Sequence, residues 1–371
     1  MAVNKKFEKL GVNSNYKGEL PHENAPAVGR KVYSFKPAKS VQKRLKIYEV
    51  GLIPVYIMFI VSFVLALFNK IITNEGVYSS LDENIFFILR CAVYLVIFIV
   101  PALVYCKISG SEKTLSLCGI KPFSRYYSGY ILLNVLLLIL IIAAEKFAIA
   151  YFDISGSTSE TINLFATQNK LAAIVAHAIF PAICEEIYIR GVIQTEISKK
   201  AGGFTGIILS AILFTLIHLD AKYFIVYLTS GIILASVMHI TGSVIPCILM
   251  HIFNNLFAMS FSSHLTFIAS ERAGNMFVFI ILMILVFIIS LFTIKVLEKI
   301  CIKKAVSVEL INAEHAKIKS ENNHDIKESV NFYSSPFKLL SDTGYTLHKF
   351  LRFLFSPAII IALIIFIFAN I

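Results

Sequence analysis

The sequence predicts an all-α polytopic membrane protein with about eight or nine transmembrane helices. The first observation is composition: of 371 residues, 57% are hydrophobic, and the mean hydropathy is +0.77. The second is charge, because only 15% of the residues are charged, against roughly 25% in a soluble domain. The third is pattern, since long apolar segments alternate with polar loops, as membrane-spanning helices require.

Nine apolar segments are predicted to cross the membrane. They lie at about 48–68, 85–105, 127–149, 171–197, 204–219, 222–240, 244–262, 275–296 and 354–371. The last of them has about 18 residues, which only just crosses a hydrocarbon core of ~30 Å. If that segment lies flat or re-enters the membrane, the protein has eight spans.

The basic residues set the orientation of these spans. Residues 1–46 hold 11 Lys and Arg against three Glu, and the loops 106–126 and 297–350 and the pair 199–200 are also basic. The intervening loops carry one Lys or Arg each. Basic loops stay on the cytoplasmic side, so the N-terminus is predicted to be cytoplasmic. The net charge of +11 therefore indicates a lipid bilayer as partner and no nucleic acid.

The chain is predicted to divide into six regions, defined by these loops and spans. They are a basic cytoplasmic tail (1–46), the first three spans (47–150), a core that contains the polar motifs described below (151–262), the eighth span (263–296), a polar cytoplasmic loop (297–350) and a C-terminal apolar span (351–371). The six cysteines form no CxxC pair, and a disulfide framework is therefore not expected.

Three charged residues lie close together in the middle of the fourth apolar segment. Glu185, Glu186 and Arg190 occur there in an otherwise apolar run, and an ionisable group at the centre of a bilayer costs about 2.5–3.5 kcal/mol on insertion scales. Glu186 and Arg190 are four residues apart, so they lie on one helical face and can neutralise each other. Glu185 is rotated by about 100° from Glu186. It therefore needs a partner from another helix, a water molecule or a metal ion.

Two later apolar segments contain suitable partners. The fifth segment contains His218, and the seventh contains His251 and Asn255, which are four residues apart and share a face. Two histidines, an asparagine and an unpaired glutamate on three separate spans favour a functional site within the membrane.

The order of these motifs resembles one known family. Glu-Glu-x-x-x-Arg, Phe-x-x-x-His and His-x-x-x-Asn follow one another on separate apolar segments, as in the CPBP family of intramembrane endopeptidases. That family includes the eukaryotic CAAX prenyl endopeptidases and the bacterial Abi proteins linked to bacteriocin processing and self-immunity. The resemblance covers about residues 170–256. It makes region 151–262 a CPBP-like catalytic core and implies an intramembrane catalytic cavity.

The resemblance also implies a role for each motif residue. Glu185 matches the base that activates water, and His218 matches the histidine that helps to hold that water. His251 and Asn255 match the pair that stabilises the oxyanion.

The remaining motif residues, Glu186 and Arg190, match a pair that fixes the helix geometry. The family is conventionally grouped with metallopeptidases. Glu185, His218 and His251 supply the ligand count of a catalytic zinc site with one open position. The usual His-Glu-x-x-His helix is absent, and a glutamate base needs no metal. A divalent metal such as Zn and a metal-free reaction both stay open.

The expected activity is hydrolysis of a peptide bond in a membrane-associated or hydrophobic peptide, which is lipid-modified or secreted. A composition rich in Ile, Lys and Asn is typical of bacteria, so a bacterial cytoplasmic membrane and processing of a secreted peptide or bacteriocin, or self-immunity, are favoured over a prenylated substrate. Two alternatives remain. One is a proton- or metal-coupled transporter that uses intramembrane Glu and His. The other is a non-catalytic membrane scaffold or immunity protein.

Overall fold

The computed structural model describes residue 60 and residues 83–108, 119–152, 169–271, 276–322 and 347–369. Within these residues all regular secondary structure is helical, without a β-strand. The predicted basic tail and, apart from residue 60, the predicted first span lie outside the described residues.

The described helices are numbered here in chain order. They are α1 (83–108), α2 (Ser128–Tyr151), α3 (170–201), α4 (Gly203–Ile217), α5 (Phe224–Thr241), α6 (Ile245–Glu271), α7 (Met276–Asn322), α8 (Leu347–Leu354) and α9 (Pro357–Ala369). Every predicted span from the second to the ninth coincides with one of them. Five have the length and apolarity to cross a membrane, and the bent helix α6 makes a sixth. The protein is therefore a helical membrane protein, whereas the count of eight or nine spans stays a prediction.

Two of the helices, α1 and α3, contain π-helical segments. In α1 the segment is Leu95–Ile99, and in α3 there are two, Val175–Ile179 and Ile187–Gln194. Each π-helical turn shifts the hydrogen-bond register by one residue, and such turns are frequent at functional sites. Glu185 and Glu186 end the α-helical turn Phe180–Glu186 between the two π segments of α3.

A proline explains a contact between α1 and α3. The amide of Phe180 bonds to the carbonyl of Val175 in the π register, and the next residue, Pro181, has no N–H to donate to the carbonyl of Ala176. Arg90 on α1 donates its Nε–H to that carbonyl at 3.3 Å. A polar side chain thus satisfies a backbone acceptor that the helix leaves open.

Helix α3 is the central helix of this arrangement. It packs against α1, α4, α5 and α6, and 56% of its apolar span is buried, against 6% for the span of α7. Tyr188, Ile189, Arg190 and Ile193 on α3 are all fully buried. The segment that contains the glutamates is therefore an inner helix, whereas most of the apolar span of α7 (Phe277–Ile300) is available to lipid.

Helices α4 and α5 approach each other closely at a glycine. A Cβ atom on Gly231 would lie 3.1 Å from the Cα atom of Ala211, closer than most side chains tolerate. Gly242 directly follows Thr241, the last residue of α5, and has a φ of 64°. This left-handed conformation favours glycine at the end of a helix. These two glycines set the distance between α4 and α5 and the turn into α6.

Helix α7 continues well beyond the predicted eighth span. The prediction ends that span at residue 296, but the helix runs on to Asn322. No Gly or Pro occurs between Met276 and Asn322 to stop it. By contacts the chain divides into two compact units, residues 48–298 with 332–371 and residues 1–47 with 299–331. All residues discussed below belong to the first unit.

Candidate active site

The structure forms the ion pair that the four-residue spacing predicts. Arg190 Nη1 donates to Glu186 Oε1 at 2.9 Å, and both side chains are 0% exposed. His251 on α6 donates from Nδ1 to the same oxygen at 2.8 Å. Glu186 therefore connects α3 to α6 as well as to Arg190, and the contact with His251 was not anticipated from the sequence.

Arg190 connects α3 to two further helices. Its Nη2 donates to the carbonyl of Gly231 on α5 at 3.4 Å, and its guanidinium lies over the Phe214 ring of α4 at 4.3 Å. A cation over an aromatic face is stabilised further when water is excluded. The guanidinium is thus held by a carboxylate, a carbonyl and an aromatic ring from three elements.

Glu185 has a different environment. It is 5% exposed, and its Oε2 atom has no hydrogen-bond partner among the described residues. The His251 Nε2 atom lies 3.9 Å from Oε2. That distance is too long for a hydrogen bond, but an oxygen atom between them could lie at about 2.8 Å from both. The separation of Glu185 Oε2 and His251 Nε2 is therefore compatible with one oxygen atom, from water or substrate, that hydrogen-bonds to both.

Tyr94 on α1 is a further partner of Glu185. Its hydroxyl hydrogen-bonds the Glu185 carboxyl group. The Tyr94 ring stacks on Phe98, with ring centroids 5.7 Å apart. No motif in the sequence points to Tyr94, because α1 carries none of its own.

His218 lies at the C-terminal end of α4, close to this group. Its Nδ1 bonds to the carbonyl of Phe214 at 2.7 Å, and since a carbonyl only accepts, Nδ1 carries the proton. Its ring stacks on Tyr227 of α5 at 3.9 Å. Nε2 is therefore left for another contact, and Glu185 lies near enough to His218 for their charges to interact.

Phe214 lies between the two histidines. Its ring is edge-on to His218 at 4.6 Å and to His251 at 5.7 Å between centroids. The structure thus places His218 and His251 on either side of one aromatic ring, and His251 Nε2 lies 3.9 Å from Glu185. The first residue of the Phe-x-x-x-His motif therefore has a spacing role, and Arg190 lies over the same ring.

Asn255 lies one turn further along α6 than His251. Its Nδ2 atom is 3.5 Å from the carbonyl of Ala178 on α3, which is a long hydrogen bond. A side-chain amide has two N–H donors. One of them faces Ala178, and the second is available to another acceptor.

Among the described residues, no three His, Cys, Asp or Glu side chains are arranged to hold a metal ion. The Nδ1 atoms of His251 and His218 bond to Glu186 and to the carbonyl of Phe214, which leaves their Nε2 atoms as the possible metal ligands. A divalent metal such as Zn at Glu185, His218 and His251 stays a prediction, and the mechanism below uses these side chains alone.

A cavity of about 480 Å³ lies between α1 and α3. Apolar side chains and two asparagines line it: Asn84, Phe87, Ile88, Cys91, Asn169, Leu171, Ala172, Val175 and Ala176. Ala176 precedes Glu185 by nine residues, which is about 14 Å along the helix. On α3 the lining thus ends about two and a half turns before Glu185, whereas on α1 the lining residue Cys91 lies about one turn before Tyr94.

The family resemblance is confirmed for the segment that contains the motifs. Residues 167–257 match the family model of the Rce1-like type II CAAX prenyl endopeptidases. That stretch contains Glu185, Glu186, Arg190, His218, His251 and Asn255, and it is 91 of the 371 residues. In this stretch the chain is similar to intramembrane endopeptidases of the CAAX-protease type. No curated protein and no solved structure matches the chain.

Proposed function

We propose that this protein hydrolyses a peptide bond within the membrane, with Glu185 as the base that activates a water molecule. The observation that carries the proposal is the buried Glu185 Oε2 atom, which has no partner among the described residues and lies 3.9 Å from His251 Nε2. Buried carboxylate oxygens nearly always have a hydrogen-bond partner. A water molecule or the substrate is the partner that this site is built to receive.

In the first step Glu185 takes a proton from the water, and the water oxygen attacks the carbonyl carbon of the peptide. His218 holds the water through Nε2, because its Nδ1–H already donates to Phe214. A positioned general base contributes about 10²–10⁴-fold to such a reaction. The proton held by Glu185 then passes to the leaving amine, so that the products are a carboxylic acid and an amine and Glu185 is restored.

In the same step His251 and Asn255 stabilise the oxyanion. The Glu186 carboxylate accepts the Nδ1–H of His251 and so orients the ring, with Nε2 facing the reacting oxygen. In the proposed step His251 acts as the imidazolium and donates from Nε2 to the oxyanion. The second amide N–H of Asn255 is the other donor. Each such donor is worth about 10²–10³-fold in kcat.

The substrate is proposed to be a hydrophobic or lipid-modified peptide, because the carboxylate is surrounded by apolar helices that exclude free solutes. A secreted peptide or bacteriocin processed at a bacterial cytoplasmic membrane, with the N-terminus of the enzyme in the cytoplasm, remains the proposed setting.

The test compares the wild type with Glu185→Gln in liposomes. Two internally quenched peptides serve as probes, one with a farnesylated C-terminal CaaX sequence and one unmodified and apolar. We expect the wild type to cleave at least one probe and Glu185→Gln to be about 10³-fold slower, as expected for loss of a general base. Glu196→Gln is the matched control, because Glu196 lies on the same helix and pairs with Lys199 at 2.8 Å. It should cleave at the wild-type rate.

The proposal is wrong if a folded Glu185→Gln protein cleaves as fast as the wild type. A wild type that cleaves neither probe but carries protons across the liposome membrane would instead identify a transporter. Dialysis against a chelator is part of the same assay. Because the proposed mechanism uses no metal, the chelated wild type should cleave at an unchanged rate. A loss of cleavage rate that added Zn²⁺ restores would show that the mechanism is metal-dependent.

A further inference from the structure

The geometry points to Tyr94 as a positioning residue, which holds one oxygen of the Glu185 carboxylate so that Oε2 faces the water. This inference rests on the proposed function. Tyr94 lies on α1, outside the stretch 167–257 that matches the family model. The base is therefore oriented from a part of the chain that none of the recognised motifs includes.

The Tyr94 side chain is itself held in place. Its ring stacks on Phe98 at 5.7 Å with an interplanar angle of 20°, and the guanidinium of Arg90 lies 5.4 Å from its ring centroid. Arg90 in turn donates to the Ala176 carbonyl of α3. The ring is thus fixed by one residue before it and one after it along α1, and its hydroxyl has a defined position relative to α3.

A second pair of the same kind occurs further along these two helices. The Tyr105 hydroxyl of α1 hydrogen-bonds Glu196 of α3. Tyr105 follows Tyr94 by 11 residues, and Glu196 follows Glu185 by 11 residues. Each interval also contains a π-helical segment, Leu95–Ile99 on α1 and Ile187–Gln194 on α3, so the helical register changes on both helices between the two pairs. Successive parts of α1 contact successive parts of α3, so the two helices run in parallel. Each tyrosine therefore meets its own glutamate: Tyr94 contacts Glu185, and Tyr105 contacts Glu196.

Only the first pair has the surroundings of a reaction site. Glu185 faces His251 at 3.9 Å. Glu196 instead bonds to Lys199, whose side chain is 53% exposed. The second pair therefore joins the same helices without a chemical task, and it provides an internal control for the structural part of a Tyr–Glu contact.

The hydroxyl of Tyr94 acts on the base and not on the substrate. By donating to one carboxylate oxygen, it fixes the rotation of the carboxyl group and keeps Oε2 directed towards His251. Without it the carboxyl group can turn, and a smaller share of the enzyme holds the water in line with the peptide carbonyl. Substrate binding does not use this hydroxyl, so the loss should appear in kcat and not in KM.

The experiment measures kcat and KM for the wild type, Tyr94→Phe and Tyr105→Phe with the cleaved quenched peptide in liposomes. Each substitution removes one oxygen atom and keeps the ring. A hydrogen bond to a charged group predicts about a 10- to 100-fold lower kcat for Tyr94→Phe, with KM unchanged. Tyr105→Phe should keep the kcat of the wild type, and both variants should melt at similar temperatures in detergent.

Two outcomes overturn the role of Tyr94 and leave the proposed function intact. In one, Tyr94→Phe cleaves at the wild-type rate. In the other, both Tyr→Phe variants lose kcat and melting temperature alike, which would make the hydroxyl a structural contact only. If the wild type cleaves no probe, the proposed function itself is refuted. The wild-type sample alone therefore separates a failure of the proposed function from a failure of the role of Tyr94.

Discussion

The two adjacent glutamates of α3 have nearly equal burial and different partners. Glu186 is 0% exposed and shares its Oε1 between Arg190 at 2.9 Å and His251 at 2.8 Å. Glu185 is 5% exposed, accepts a hydrogen bond from the Tyr94 hydroxyl of α1, and lies 3.9 Å from His251 Nε2. Each keeps an Oε2 atom without a hydrogen-bond partner among the described residues. Burial therefore does not distinguish them, but the arginine in hydrogen-bond contact with Glu186 does.

This difference separates a structural carboxylate from a reactive one. Glu186 and Arg190 join α3 to α6 through His251 and to α5 through the carbonyl of Gly231. These contacts use the charge of Glu186 to hold helices in position. Glu185 has no arginine or lysine to neutralise it within 4 Å among the described residues, so its charge is available for proton transfer.

The largest effect is expected where the structural pair is broken. Arg190→Met keeps most of the side-chain volume but leaves Glu186 charged and buried. Loss of one member of a buried ion pair costs about 3–5 kcal/mol, so the variant should unfold at much lower denaturant concentration in detergent. The double variant Glu186→Gln with Arg190→Met removes both charges and should recover part of that loss. If the double variant is less stable than the single one, the pair is not the source of the effect.

A smaller effect is expected at the histidine that faces both glutamates. His251→Gln removes the oxyanion donor and should lower kcat about 10²–10³-fold. It also loses one hydrogen bond to a charged group, about 1.5–3 kcal/mol of stability. The measurement is kcat in liposomes together with unfolding in detergent.

His177→Gln is the control for that substitution. His177 lies on α3, where its Nδ1 bonds to the carbonyl of Ala173, and it has no assigned role in the reaction. Its kcat should stay within about twofold of the wild type, well inside the range of ordinary surface or packing changes. Equal losses of kcat in both variants would contradict the assignment of His251.

Local spacing in the sequence predicts one part of the site well. A spacing of four residues from Glu186 to Arg190, and from His251 to Asn255, places each pair on one helical face. Helices α1 to α5 begin and end near the predicted limits, whereas α6 and α7 continue beyond them. These features depend on neighbours within one helix. The ion pair of Glu186 with Arg190 is found as predicted, whereas Asn255 lies against the Ala178 carbonyl, and its role as an oxyanion donor stays a prediction.

The remaining features depend on how separate helices meet. The bond from Tyr94 to Glu185 joins residues 91 positions apart, and the bond from Glu186 to His251 joins residues 65 apart. Neither follows from the period of one helix. The π-helical turn that follows Glu186 also shifts the register by one residue, which a regular helix does not reveal. The matching 11-residue spacings of Tyr94 with Tyr105 and Glu185 with Glu196 are the only sequence signal of the first contact.

The smallest expected effect tests the distance between α4 and α5. Gly231→Ala places a Cβ atom 3.1–3.3 Å from the backbone and Cβ of Ala211. The helices must separate slightly, and the Gly231 carbonyl, already 3.4 Å from Arg190 Nη2, moves with α5. Overpacking costs about 1–3 kcal/mol, and alanine returns about 1 kcal/mol through helix propensity, so a net loss of about 1 kcal/mol is expected. Gly129→Ala is the control, because no atom lies within 4 Å of its added Cβ. A variant at Gly231 as stable as the Gly129 variant would mean that the close approach does not hold Arg190 in place.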